Sequence, residues 1–295
     1  RDSMKSGSKP AGIITYTWEL HNSADQNPDF WWRYFAEETV YNGVIYQPGT
    51  LIMGVADLNN DGTVSNRVTI TPGQEPWLPW LPSVARSSVL HVVTVIDDAT
   101  GTKINPVNLA SWFAGYTSLV TFDGTGMDTK NTLSFESLFE GDSKLEEVDI
   151  AGWDMRETTF GSSGTDDEGN DIPILTGYAN MFKGCTSLKK IVVGANSALQ
   201  GTGFDSITGR DPNSGMWRTD ASEGNTLFDH TWFETSAGLA MRFDTAGHGS
   251  IYGTRVEFIW TPGKGGHFVG NSDAWWAYDS EANTLYLGSC LLYTS

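Results

Sequence analysis

Cysteine is nearly missing from this chain: Cys185 and Cys290 are the only two in 295 residues. That is too few for the disulfide framework of a secreted scaffold, and their spacing suits no zinc site. There is no run of the roughly 18 apolar residues that a membrane-spanning helix requires. Basic residues are also scarce, with 18 Lys and Arg against 36 Asp and Glu and a formal net charge of −18. Such a surface repels a phosphate backbone and an anionic bilayer, which excludes nucleic acid as a partner and argues against membrane insertion. Catalytic signatures are missing as well: no His-Glu-x-x-His, no Gly-x-Ser-x-Gly, no phosphate loop and no dinucleotide fingerprint. The five histidines (His21, His91, His230, His248 and His267) are scattered. These absences point away from an enzyme. The many carboxylates leave a glycosidase pair as the one catalytic arrangement that composition does not exclude.

What is present describes a folded protein. Apolar residues make up 39% and aromatics 12%, with twelve Trp spread along the chain, a composition that can bury a core. The length fits one large domain or two to three small ones. Cys185 reads as a small buried apolar residue and not as a partner for Cys290. The chain starts at Arg1-Asp2-Ser3 with neither an initiator Met nor a signal peptide, and its last six residues, Cys290-Leu-Leu-Tyr-Thr-Ser295, resemble translated sequencing-adapter read-through. The expectation is therefore a fragment cut at both ends.

Residues 1–85 read as a β-rich module. Gly12–Leu20 alternates as a half-buried strand does, Val44–Tyr46 and Thr50–Met53 are short strand candidates, and Arg67–Thr71 follows the turn Asp57–Thr63. Pro72, Pro76, Pro79 and Pro82, interleaved with Trp77 and Trp80, interrupt regular structure and mark a boundary. Leu90–Ile96 is the strongest strand in the chain.

From about residue 105 a repeat takes over, aligned on Phe113, Phe139 and Phe182. An apolar residue lies four before each (Leu109, Phe135, Tyr178) and another directly before (Trp112, Leu138, Met181). Gly115, Gly141 and Gly184 lie two after, and Leu119, Leu145 and Leu188 six after; Phe122, Val148 and Ile191 complete the pattern. The first spacing is 26 residues and the second 43, one unit plus an insertion of 17 that falls on the polar stretch Gly161–Asp171. Each unit is expected to form a helical turn, with apolar residues at i, i+3 and i+4 as in Phe135, Leu138 and Phe139. A chain reversal at the Gly follows, then a strand such as Leu145–Ile150. One such unit cannot bury both of its faces, so neighbours must stack.

These units resemble the BspA-like leucine-rich repeats of bacterial surface proteins. Met181-Phe-Lys-Gly-Cys-Thr-Ser-Leu188 follows the family pattern closely. Leu138–Asp154 follows it with Asp142 in place of Cys and Lys144 in place of Ser, and Trp112–Leu119 is the third unit. Pro76–Trp80 with Val92–Val95 is similar to that family's N-terminal flank, and Met216-Trp-Arg through Tyr252-Gly-Thr254 to its C-terminal flank. The resemblance covers roughly residues 75–262. It departs at Gly124, which replaces an inward aliphatic and suggests a distorted cap, and at Asn196 and Ser197, which replace a Trp-Asp pair. It implies an exported, non-enzymatic protein at the bacterial cell surface that adheres to or recognises a protein or glycan ligand on a host or microbial surface. The fold expected is a β-rich α/β protein, a short leucine-rich-repeat solenoid flanked by β-rich modules. Its parts would be the N-terminal module at 1–85, the solenoid at 86–204 with its insertion at about 159–175, a capping segment at 205–262, and a linker (Gly263–Gly266) with the start of a further module at 263–295.

On such strands the residues beside the inward ones form two columns, Thr121, Glu147, Lys190 and Asp123, Asp149, Val192. Stacked in register they make one patch, either a binding face or a solvated charged face. Asp57-x-Asn59-x-Asp61-Gly62 matches the first half of a calcium loop, but Val68 stands where a bidentate carboxylate belongs, and a β-turn explains the same residues. No cofactor is otherwise expected. The paired Trp31-Trp32 and Trp275-Trp276 could stack on sugars or serve as core anchors. A structural spacer and a carbohydrate-binding module are the alternatives to the adhesin.

Overall fold

The computed structural model describes residues 15–18, 29–70, 78–156, 164–165, 171–172, 177–207, 215–219, 232–233, 235–268 and 271–289. Eighteen strands lie among them: β1 Thr15–Trp18, β2 Phe30–Phe35, β3 Thr39–Tyr41, β4 Val44–Tyr46, β5 Thr50–Val55, β6 Arg67–Val68, β7 His91–Thr94, β8 Asn105–Pro106 and β9 Thr121–Asp123. They continue as β10 Glu147–Asp149, β11 Gly164–Thr165, β12 Asp171–Ile172, β13 Lys190–Val193, β14 Gly215–Arg218, β15 Trp232–Phe233, β16 Val256–Phe268, β17 Asn271–Asp279 and β18 Thr284–Ser289. Twelve form one mixed sheet, in the order β1-β2-β5-β7-β9-β10-β13-β16-β14-β15, with β17 paired to β16 and β18 to β17. The centre, from β5 through β7, β9 and β10 to β13, is parallel, and antiparallel strands extend it on both sides.

The expected α/β class with a solenoid between separate modules is corrected by this sheet. The protein is mostly β, and the only α-helix among the described residues is the five-residue α1, Ser236–Ala240. The physical reason lies in the repeat itself. Ser111, Ser137 and Asn180, two residues before each aligned Phe, have φ of 60°, 55° and 58°, a conformation that cannot propagate a right-handed helix. Each unit therefore closes in tight turns, and its amides reach the next unit: the Phe113 N–H donates to Leu138 O at 3.0 Å, and the Phe139 N–H to Met181 O at 2.9 Å. Nor are the flanks separate modules, because β2 and β5 belong to the same sheet as the repeat strands. Gly263–Gly266 is not a linker but part of the 13-residue strand β16.

Beneath the sheet, Trp80, Phe113, Phe139 and Phe182 stack in file at centroid separations of 6.0, 6.2 and 5.6 Å, with interplanar angles of 13°, 13° and 25°. Phe204 and Trp217 extend the file at the far end. Fully buried aromatics supply much of a core's apolar area. The proline-rich stretch thus does more than interrupt structure, since Trp80 covers the open side of the first unit and its Nε1 donates to Tyr116 OH at 2.7 Å. Cys185 is buried and free, its Sγ 3.2 Å from Phe139 O; Cys290 lies outside the described residues.

The departures from the repeat pattern have local causes. A Cβ on Gly124 would stand 2.8 Å from both Phe122 and Trp153 and 2.9 Å from Asp149 O, and the Trp153 indole N–H donates to Gly124 O at 2.9 Å. The glycine is the space that the indole fills, not a distorted cap. Ser197 donates to Ile150 O and accepts the Gly194 N–H, both at 2.9 Å, tying the third unit to the second where the Trp-Asp pair is missing. Of the insertion at 159–175, only the small pair β11–β12 is described; the rest of that stretch lies outside the described residues. Gly12–Ile14, Glu19 and Leu20 of the first expected strand also lie outside them, and the strand seen is β1. No helix among the described residues is long and apolar enough to cross a membrane.

Candidate binding groove

Side chains alternate between the faces of a strand. Phe122, Val148 and Ile191 point into the core, so their neighbours point outward. The register pairs Thr121 with Glu147 and Glu147 with Lys190, and Asp123 with Asp149 and Asp149 with Val192. All six residues anticipated from the repeat are therefore brought together. They line a shallow cavity of about 160 Å³, joined by Arg255 and the edges of Phe122 and Val148.

Spacing within the repeat could not reveal what completes this face. Strand β16 runs antiparallel beside β13, pairing Glu257 with Val192 and Ile259 with Lys190. Arg255 reaches Asp149 at 2.6 Å, and the Asp149 hydrogen bond holds its guanidinium above its ordinary range. Lys190 Nζ lies 3.7 Å from Glu147 and 3.2 Å from Glu257. Burial works against its charge, but the hydrogen bonds and charges of Glu257 and Glu147 outweigh it and raise its pKa. Such half-exposed pairs contribute little stability, about 0–1 kcal/mol each; their effect is to orient the side chains. On the other flank His91 Nδ1 lies 2.7 Å from Thr121 Oγ1, and burial lowers the imidazole pKa, favouring the neutral ring.

The apolar wall of the face was also missed. Hairpin β3–β4 turns at Asn42 and Gly43, with φ of 49° and 79°, as a two-residue primed turn demands. It lays Tyr41 and Tyr46 on the cluster Trp31, Phe35 and Ile52, together with Val93. Tyr46 stacks on Phe35 at 5.4 Å, and Arg33 lies 4.4 Å from the Tyr41 centroid. An Asn-Gly dipeptide between β-branched residues was the signal available. Val93 pairs with Asp123 in the register, so the aromatic wall adjoins the charged floor.

No protein-family model, curated protein or solved structure matches this chain. The groove must be read from its own chemistry.

Two other candidate sites lie elsewhere. Asp57 accepts the Asp61 and Gly62 amides at 3.0 and 2.8 Å, and Asp61 accepts the Thr63 amide and hydroxyl. Asn59 instead donates to the buried Asp29 at 3.4 Å. Among the described residues no three His, Cys, Asp or Glu gather as a metal site would require. Trp31 and Trp32 are core residues, 7% and 2% exposed, so neither offers a free indole face to a sugar. Trp276 is half-buried on β17, and the Trp275 side chain lies outside the described residues.

Proposed function

We propose that this chain is a non-enzymatic recognition protein of the bacterial cell surface, binding a protein or glycan ligand on a host or microbial surface through the outer face of β9, β10 and β13. The observation that carries this reading is the in-register convergence of Thr121, Glu147 and Lys190 with Asp123, Asp149 and Val192 in one cavity. Similar units repeated on adjacent strands build a contiguous surface, which is how stacked-repeat proteins present binding sites. The resemblance of the three units to BspA-like repeats supports the extracellular setting. A structural spacer is the second reading, favoured by one observation: two of the three carboxylates that line the cavity, Glu147 and Asp149, are already paired within the chain.

The test is binding of the full chain to immobilised host matrix proteins and to a glycan panel, beside the double variant Glu147→Lys/Asp149→Lys. Loss of binding in a variant that keeps its circular dichroism spectrum supports recognition through this face. Absence of binding by the wild type to every surface favours the spacer.

A further inference from the structure

Four asparagines among the described residues have left-handed backbones, Asn42, Asn60, Asn180 and Asn283, with φ of 49°, 55°, 58° and 50°. Three of them precede a residue whose side chain hinders approach to its amide nitrogen: Asp61, Met181 and Thr284. Asn42 precedes Gly43, and this is the one Asn-Gly pair in the sequence. Both residues are exposed, and a Cβ on Gly43 would meet nothing within 4 Å. Neither the Asn42 side chain nor the Gly43 amide has a hydrogen-bond partner among the described residues. The turn at Asp61-Gly62 offers the contrast, because there the Thr63 amide and hydroxyl hold the Asp61 carboxylate at 2.9 and 2.6 Å.

A side-chain amide and a neighbouring unhindered amide nitrogen are already joined in one chain, so their reaction needs only that they meet. We propose that Asn42-Gly43 is a self-modification site, where the asparagine deamidates through a cyclic imide and the isoaspartyl product releases hairpin β3–β4 from the aromatic cluster beneath it. The Gly43 nitrogen bonds to Asn42 Cγ as the Cγ–Nδ2 bond breaks, and the Gly43 amide proton leaves with the side-chain nitrogen as ammonia. Water then opens the imide. Attack at Cγ restores the ordinary main chain with a carboxylate side chain. Attack at the Asn42 main-chain carbonyl carbon routes the chain through Cγ and leaves the former main-chain carbonyl as the free carboxylate. The first step requires the turn to open briefly, and openings of exposed segments lie at the low end of a protein's stability.

The isoaspartyl product adds one carbon atom to the main chain inside a two-residue turn. Such a turn fixes the register of its strands, here Thr39 with Tyr46, Val40 with Ile45 and Tyr41 with Val44. The Tyr41 ring lies 5.9 Å from Phe35 and 6.4 Å from Trp31, and the Tyr46 ring 5.4 Å from Phe35. The two tyrosines stand on opposite strands of the hairpin, so a slip between the strands unseats one of them.

The experiment incubates the full chain at mildly alkaline pH. Peptide mapping by mass spectrometry and labelling with an isoaspartyl methyltransferase locate the product, and hydrogen exchange reads the hairpin. Product should form at Asn42 ahead of Asn196, which precedes Ser197, and should be lost in Asn42→Gln, whose ring would be one member larger. Freshly prepared Asn42→Asp carries the new charge on an ordinary main chain and should keep the slow exchange of the β3 and β4 amides. The purified isoaspartyl form should lose that protection. An intact amide at Asn42 once Asn196 has reacted would overturn the site. An isoaspartyl form that exchanges as slowly as the unmodified chain would overturn the release of the hairpin. Neither outcome touches the recognition role, which the binding assay above reads separately.

Discussion

Asp142 accepts the backbone N–H of Tyr116 at 2.7 Å from a position with no solvent exposure. It occupies the place in its unit that Cys185 takes in the next. Its other carboxyl oxygen has no hydrogen-bond partner. Burial raises its pKa from 3.8 to about 9, against the lowering effect of the Tyr116 and Gly115 amides. The folded state therefore holds a proton that the unfolded state releases above pH 4. Stability from this group is fully present below about pH 4, falls as pH rises through the window from 4 to 9, and changes no further above it. Asp142→Asn keeps the acceptor for Tyr116 and removes the titration. The variant should gain on the wild type as pH rises, by at most about 1.4 kcal/mol per pH unit. Urea unfolding at intervals from pH 5 to 9 measures this gap; a gap independent of pH would show that Asp142 is ionised in the fold.

Gly124→Ala should destabilise the protein by about 1–3 kcal/mol. The new Cβ would meet two aromatic rings and a backbone carbonyl inside normal contact distance, and the carbonyl cannot swing aside without disturbing β10. Denaturant titration gives the number directly. A neutral result would mean that the Trp153 ring can move away.

Phe139→Ala removes the ring that has partners on both sides, Phe113 at 6.2 Å and Phe182 at 5.6 Å. A loss of about 3–5 kcal/mol is expected, because ladder hydrogen bonds to the neighbouring units prevent the cavity from collapsing. A thermal melt read by tryptophan fluorescence tests it, and a loss below 1 kcal/mol would contradict so rigid a core.

Millimolar calcium should leave the melting temperature unchanged. Both oxygens of Asp57 already accept amides of their own loop, and Asn59 is turned to Asp29. A rise of several degrees that EDTA reverses would show instead that the loop binds the ion.

Much of the groove was legible because the repeat carries its own register. Once Phe113, Phe139 and Phe182 are aligned, the partners of Glu147 follow by counting, and the pairing with Thr121 and Lys190 is the one the counting requires. The helical turns were misread because apolar residues at i, i+3 and i+4 suit a helix and a stack of tight turns equally well. The positive φ at Ser111, Ser137 and Asn180 leaves little trace in residue type. Gly263–Gly266 was misread for a related reason. Glycine in a strand is penalised on average, yet here a Cβ on Gly265 would stand 2.8 Å from the backbone O of Trp276 on the paired strand, so close packing requires it.

The sequence by itself determined the acidic surface, the repeat period and which residues of each unit face out, since these depend on composition and on local periodicity. Only the tertiary structure decided that β5 and β7 join the repeat strands in one sheet, and that hairpin β3–β4 lays Tyr46 on Phe35. It alone brought Arg255 across 106 positions to Asp149. The physical reason is that strands far apart in sequence pair through main-chain hydrogen bonds, which every residue can make (proline through its carbonyl alone) and which side-chain identity therefore does not encode.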